Sequence, residues 1–135
     1  MHHSDLVSIR TAKGKGRGVF ARRPIAKGEI VERVPVIVLP AAAFEGGWKN
    51  QTLNQYFYVW TKTTVAISLG YGSIYNHSYE PNAIYNHDYR NRRLMYIAYR
   101  DIAEGEEITV NYNYDPKSKT PMEFFDVAKE TKASR

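Results

Sequence analysis

The chain has 135 residues, 19 Lys and Arg against 14 Asp and Glu, and no cysteine. It is about one domain long, without disulfides, thiolate metal sites or cysteine nucleophiles. Its apolar content of 43% suffices for a modest core. The longest apolar stretch, Val34 to Phe44, is broken by Pro35 and Pro40 and falls far short of the ~20 residues of a membrane helix.

Short β-like runs separated by turn residues predict a mainly β fold of several small curled sheets. Leu6 to Arg10 and Gly18 to Ala21 flank the glycine-rich Lys13-Gly14-Lys15-Gly16-Arg17-Gly18, whose backbone a ligand could approach closely. From Lys13 to Lys27 there are six basic residues and no acid. That stretch would suit nucleic acid, an anionic surface or an acidic peptide, or form only a solvated hairpin. Further strands are predicted at Ile30 to Val34, Val36 to Leu39, Gln55 to Trp60, Val65 to Leu69, Ala83 to His87 and Leu94 to Tyr99. In the last, Ile108 to Tyr112, the period of two puts Ile108, Val110 and Tyr112 on one face, with Tyr114 pointing the same way. Helix is expected once, over about Pro121 to Lys132, where Thr120 caps, Pro121 opens and Glu123 completes a capping box.

All 11 tyrosines fall between Tyr56 and Tyr114. Inside that window Asn76-His77-Ser78-Tyr79-Glu80-Pro81-Asn82 is dense in hydrogen-bonding groups. Gly105-Glu106-Glu107-Ile108-Thr109-Val110-Asn111-Tyr112-Asn113-Tyr114 leads from acids into two tyrosines. With Gly16-Arg17-Gly18-Val19-Phe20-Ala21, these segments resemble, in order, three motifs of the SET-domain family of S-adenosylmethionine-dependent protein-lysine methyltransferases: GxG, NHSCxPN and the closing GEEL-type strand. The resemblance covers roughly residues 7 to 115.

It implies a SET fold with a knot-like threading of the last motif beneath a loop, so that the second and third motifs meet. It also implies that the backbone around Lys15, Gly16 and Arg17 holds the cofactor's amino-acid end, while Asn76 and His77 bind it from the second motif. Tyr112 takes the place of the catalytic tyrosine and adjoins the cofactor; Tyr85 and Tyr114 line the lysine channel. Two residues depart from the pattern, Tyr79 in place of Cys and Asn111 in place of Asp. The cysteine-rich, zinc-binding segment that follows many such domains is missing, and no metal site is expected. The predicted helix would close the channel in its stead, with Phe124 or Phe125 stacking on the adenine, walling the channel or simply packing.

The expected organisation is therefore a SET domain over 1–115 and a flanking helix and tail over 116–135, packed on the same domain. Tyr56, Tyr58, Tyr71, Tyr75, Tyr89, Tyr96 and Tyr99 read as core or sheet surface, Tyr56 or Tyr58 as a further channel wall, and His87 as structural. The expected partner is a lysine-containing protein, histones among the candidates. The first ten residues are polar, without a signal-peptide core, which predicts an intracellular protein of cytoplasm, nucleus or nucleoid. The rival readings are a nucleic-acid-binding β module and a catalytically silent SET-like interaction domain.

Overall fold

The computed structural model describes residues 5–44 and 56–121. Among the described residues nine strands form two sheets: β1 (Val7–Ala12), β2 (Gly16–Ala21), β3 (Ile30–Pro40), β4 (Phe57–Val59), β5 (Thr64–Ser68), β6 (Asn76–His77), β7 (Ala83–Asp88), β8 (Arg93–Ala98) and β9 (Glu107–Val110). One sheet has the order β1-β2-β9-β6, the other β4-β5-β3-β8-β7. A bridge between Ile25 and Ile102 lies in the shared core with Val19, Val34, Leu94, Ile108 and Val110, all at most 1% exposed. Among the described residues no helix is long and apolar enough to cross a membrane.

The mainly β expectation holds, with three corrections in the strands. The two runs around Pro35 are one strand. Its first half pairs with β8, up to Pro35 against Arg93, and its second with β5, from Val36 against Ser68. Pro35 stands where the partners change. It is exposed, and its carbonyl accepts from Leu69 N at 3.1 Å, so the missing N–H falls where one ladder ends. A bulge between Ile30 and Glu32 then lets Val31 point inward while Glu32 keeps the parity of Val34 and Val36.

The second correction is β6, a two-residue strand absent from the expected set. Asn76 pairs with Thr109 and His77 with Val110, in parallel, which brings the second and third motifs side by side. The third is the end of β9. The strand stops at Val110 because Asn111 turns the chain: its Oδ1 accepts from Asn113 N at 2.9 Å and its carbonyl from Tyr114 N at 2.9 Å. Tyr114 adopts φ +74°. Tyr112 and Tyr114 therefore belong to a turn, and their strand alternation does not exist. Apart from Pro121, the expected helix over Pro121 to Lys132, with Phe124 and Phe125, lies outside the described residues.

Candidate active site

β2 and β9 run antiparallel, with Val19 opposite Ile108 and Phe20 opposite Glu107, so the glycine motif faces the acidic motif across one ladder. Glu107 collects what surrounds it. Lys15 Nζ donates to its Oε1 at 3.0 Å, and Asn76 Nδ2 donates both to its Oε2 at 2.7 Å and to the Arg17 carbonyl at 2.9 Å. Lys15, Gly16, Arg17 and Asn76 are thereby brought together. The two glycines of the motif serve different ends. Gly16 takes φ +80°, whereas Gly18 is needed for space, since a Cβ there would collide with Glu107 Oε2 and stand 3.0 Å from Asn76 Nδ2.

Asn82 ties the second motif to β9. Its Oδ1 accepts from Thr109 N at 2.9 Å, and its Nδ2 donates to the Glu107 carbonyl at 2.8 Å and to Glu106 Oε2 at 3.1 Å. Arg100 Nη2 reaches the same Glu106 Oε2 at 2.6 Å and is the main reason the Glu106 carboxyl is held below its ordinary value.

Tyr112 is gripped at both ends. Its backbone N–H donates to His77 Nδ1 at 3.0 Å, which leaves that nitrogen without a proton, and its phenol donates to the Tyr75 carbonyl at 2.6 Å. It lines an aromatic cleft of about 1160 Å³ together with Tyr58, Trp60, Tyr85, His87 and Tyr114. Tyr85 projects from β7 and its ring meets Tyr58 at 4.9 Å and Tyr114 at 5.4 Å between centroids, both edge-on. The three expected channel residues, Tyr85, Tyr112 and Tyr114, thus converge on one cavity. A smaller recess beside Arg17 shares Tyr56 and Ser73 with it, so the glycine motif and the cleft are neighbours.

The wall is built from rows of the larger sheet. Glu32, Tyr96 and Tyr85 oppose one another across β3, β8 and β7, so their side chains share a face. Tyr58 Oη donates to the Gly72 carbonyl at 2.6 Å and receives Tyr96 Oη at 3.0 Å, with Ser68 Oγ 2.9 Å from Tyr96 Oη. Gly72 admits this contact, since a Cβ there would overlap the Ser68 side chain and lie 2.6 Å from Tyr96 Oη. Burial, the largest cause in each case, pushes Tyr58, Tyr75, Tyr85 and Tyr96 up, so these phenols keep their protons across the physiological range.

Several of these roles were not read from sequence. Glu107 appeared only within its motif, although its place opposite Phe20 follows once β2 and β9 are paired. Glu32 carried one local signal, its parity with Val34 and Val36. Tyr58 lines the cleft, and Tyr75 and Tyr96 are core, at 1% and 0% exposure. His87 both bonds to the Val59 carbonyl at 2.9 Å and lines the cleft.

The two departures from the motif pattern meet at one segment. Asn111 Nδ2 donates to the Ser118 carbonyl at 2.9 Å, and Tyr79 Oη donates to the Thr120 carbonyl at 3.1 Å, where Asn113 Nδ2 also arrives at 2.8 Å. Lys119 Nζ returns a bond to the Tyr79 carbonyl at 3.1 Å. An ionised Asp has no proton to donate to Ser118, so the Asn at 111 is what lets this side chain hold residues 118–120 against the second motif.

Asn76 Oδ1 is buried and has no hydrogen-bond partner among the described residues. An acceptor left so beside a glycine motif fits the ammonium of an amino-acid moiety, the part of S-adenosylmethionine that the resemblance brings there.

Comparison with known proteins agrees. Residues 16–113 match the SET domain. The chain is 36% identical over 106 residues to the histone-lysine N-methyltransferase of Schizosaccharomyces pombe specific for H3 lysine-37, covering 78% of this chain and 72% of that protein. It is 30% identical over 132 residues to the N-lysine methyltransferase KMT5A-A of Danio rerio, covering 88% of this chain and 38% of that one. The crystal structure of a Plasmodium falciparum protein named as a histone methyltransferase superposes with a TM-score of 0.66 at 31% identity, covering 78% of this chain and 91% of that one. With most of its length matched by the family and by a relative of similar size, this chain belongs to the SET-domain family of protein-lysine methyltransferases.

Proposed function

We propose that this domain transfers a methyl group from S-adenosylmethionine to the ε-amine of a lysine in a histone, with H3 the first candidate and the nucleus the compartment. The observation that carries the reading is the double grip on Tyr112, by His77 and by the Tyr75 carbonyl, at an aromatic cleft next to the Gly16–Gly18 strand. The substrate and compartment are supported by the Schizosaccharomyces pombe relative, whose name specifies H3 lysine-37.

When bound, S-adenosylmethionine supplies an electrophilic methyl on a sulfonium, whose charge also disfavours an ammonium beside it. Lys15, Gly16, Arg17, Asn76 and His77 would hold it: the backbone of β2 at the amino-acid end, with Asn76 Oδ1 accepting from the ammonium. The lysine must be neutral to react. From a free pKa of about 10.4, half-neutralisation at pH 7 takes roughly 3.4 pK units, about 4.6 kcal/mol. A desolvating aromatic wall works in that direction. The walls are protonated phenols, so none of Tyr58, Tyr85 and Tyr96 serves as the base, and orientation is their contribution. Tyr112 has committed its proton to the Tyr75 carbonyl, so toward the amine its oxygen acts as an acceptor that fixes the nitrogen's lone pair on the methyl. Tyr85 and Tyr114 shape the channel around the alkyl stem.

In the same reading residues 1–115 form the SET domain and 116–135 a flanking segment. The knot-like threading is supported by the parallel pairing of β6 with β9. The test is thermal stabilisation by S-adenosylmethionine, followed by methyl transfer to histones with the site mapped by mass spectrometry. Stabilisation together with a methylated lysine is expected. A protein that neither shifts at millimolar cofactor nor methylates any histone refutes the proposal, and a steep salt-dependent affinity for oligonucleotides would favour the nucleic-acid module instead.

A further inference from the structure

Glu32 is the one carboxylate in the cross-strand row Glu32–Tyr96–Tyr85, and nothing in the methyl-transfer scheme uses it. Its Oε1 accepts from Tyr75 Oη at 2.7 Å. Burial raises its pKa, opposed by the hydrogen bonds from the Tyr75 phenol and the Tyr71 backbone. Tyr75 is 1% exposed, its ring against Tyr96 at 4.5 Å. Its carbonyl is the group that takes the Tyr112 phenol at 2.6 Å. The residues that follow it are Asn76 and His77, the second of which takes Tyr112 N.

One tyrosine is therefore fixed at its side chain by a half-buried acid and at its backbone fixes the tyrosine that faces the amine. A carboxylate drawn half out of water is costly unless its hydrogen bonds are met, and its bond to Tyr75 ties β3 of the larger sheet to the residue that precedes β6 of the smaller one. From this juxtaposition we propose that Glu32 and Tyr75 are positioning residues for Tyr112: Glu32 anchors the Tyr75 ring so that the Tyr75 carbonyl holds the Tyr112 hydroxyl in one orientation.

The inference rests on Tyr112 acting in methyl transfer as proposed above, and its test has a readout that does not depend on turnover. In the full chain with tyrosines labelled at ¹³Cζ, hydroxyl exchange of Tyr112 is read from the deuterium isotope shift, the signal being assigned by its loss in Tyr112→Phe. Tyr75→Phe should speed that exchange about tenfold and lower kcat by a similar factor, with KM for S-adenosylmethionine changed less than twofold. Unchanged exchange in Tyr75→Phe overturns the inference even where methyl transfer is observed. Accelerated exchange in a protein whose wild type methylates no histone upholds the positioning and refutes the activity. Should Tyr75→Phe fail to fold, Glu32→Leu takes its place. Glu32→Gln, which keeps one acceptor oxygen, should then recover part of the lost protection, and no difference between the two overturns the inference.

Discussion

Gly18→Ala puts a methyl group where the glycine motif, the second motif and Glu107 meet. Its Cβ would overlap Glu107 Oε2 and stand 3.0 Å from Asn76 Nδ2 and 3.1 Å from Glu107 Cδ, so the carboxylate must swing away and release Asn76 Nδ2 from a 2.7 Å bond. Asn76 is 1% exposed, and no water replaces the lost partner. A charge-assisted hydrogen bond of this kind is worth roughly 1.5–3 kcal/mol. Taking about 2 kcal/mol, the folded-to-unfolded ratio falls roughly thirtyfold and Tm drops by roughly 6–10 °C. The measurement is urea unfolding at pH 7 with and without S-adenosylmethionine, because displacement of Asn76 should also weaken the cofactor's stabilising effect. Gly14→Ala is the control. Gly14 has φ +74° but nothing within 4 Å of a Cβ, so it pays only the left-handed penalty of roughly 1–2 kcal/mol and leaves the cofactor shift intact. Gly18→Ala with wild-type stability and an undiminished cofactor shift would refute the reasoning.

Asn111→Asp should destabilise by about 2 kcal/mol at pH 7, because it sets an oxygen against the Ser118 carbonyl in a site that is 1% exposed. The new carboxyl should have a raised folded-state pKa, so the penalty is present at neutral pH and fades as acid restores a donor. Denaturant midpoints at pH 7 and pH 4 check this, and equal penalties at both would contradict it. Glu106 titrates in the opposite sense. Its folded pKa lies below the ordinary 4.5, so its contribution is complete above that value and is lost as pH falls through the depressed folded value. Glu106→Gln should therefore flatten the acid limb of the stability curve, which thermal melts from pH 6 to pH 3 would show. Tyr79→Phe removes only the exposed bond to Thr120 and should cost less than about 1 kcal/mol, measured by urea unfolding.

What the sequence made legible was local. The glycine motif, the Asn76–Asn82 motif and the acidic strand could be read as residue types in order, and most strands announced themselves by apolar runs between turn residues. What escaped depends on partners distant in the chain. β6 is two residues long and exists only because β9 lies beside it, its partners 33 positions away. Pro35 looks like a break until β8 and β5 are seen to divide one strand between them. Asn111 is the instructive miss. As a residue in an alternating strand it looked like the face opposite Tyr112, yet Asn is also a turn former, and its side-chain bond to Asn113 decides for the turn. That turn swings Tyr114 to φ +74° and toward the ring of Tyr85. The tyrosine cluster was visible as a count. Its division into Tyr75 and Tyr96 as core and Tyr85, Tyr112 and Tyr114 as cleft needed the sheet.

The central claim is that this domain methylates a histone lysine through Tyr112. Its most direct test is transfer of labelled methyl from S-adenosylmethionine to histone H3 by the wild type and by Tyr112→Phe, with binding of the cofactor measured alongside. The account predicts a methylated lysine from the wild type. It predicts a loss of about a hundredfold in kcat for Tyr112→Phe, of the size expected when one group that orients the reacting atoms is removed. Cofactor affinity should change only a few fold, since His77 contacts the Tyr112 backbone. Methyl transfer by Tyr112→Phe at the wild-type rate would contradict it.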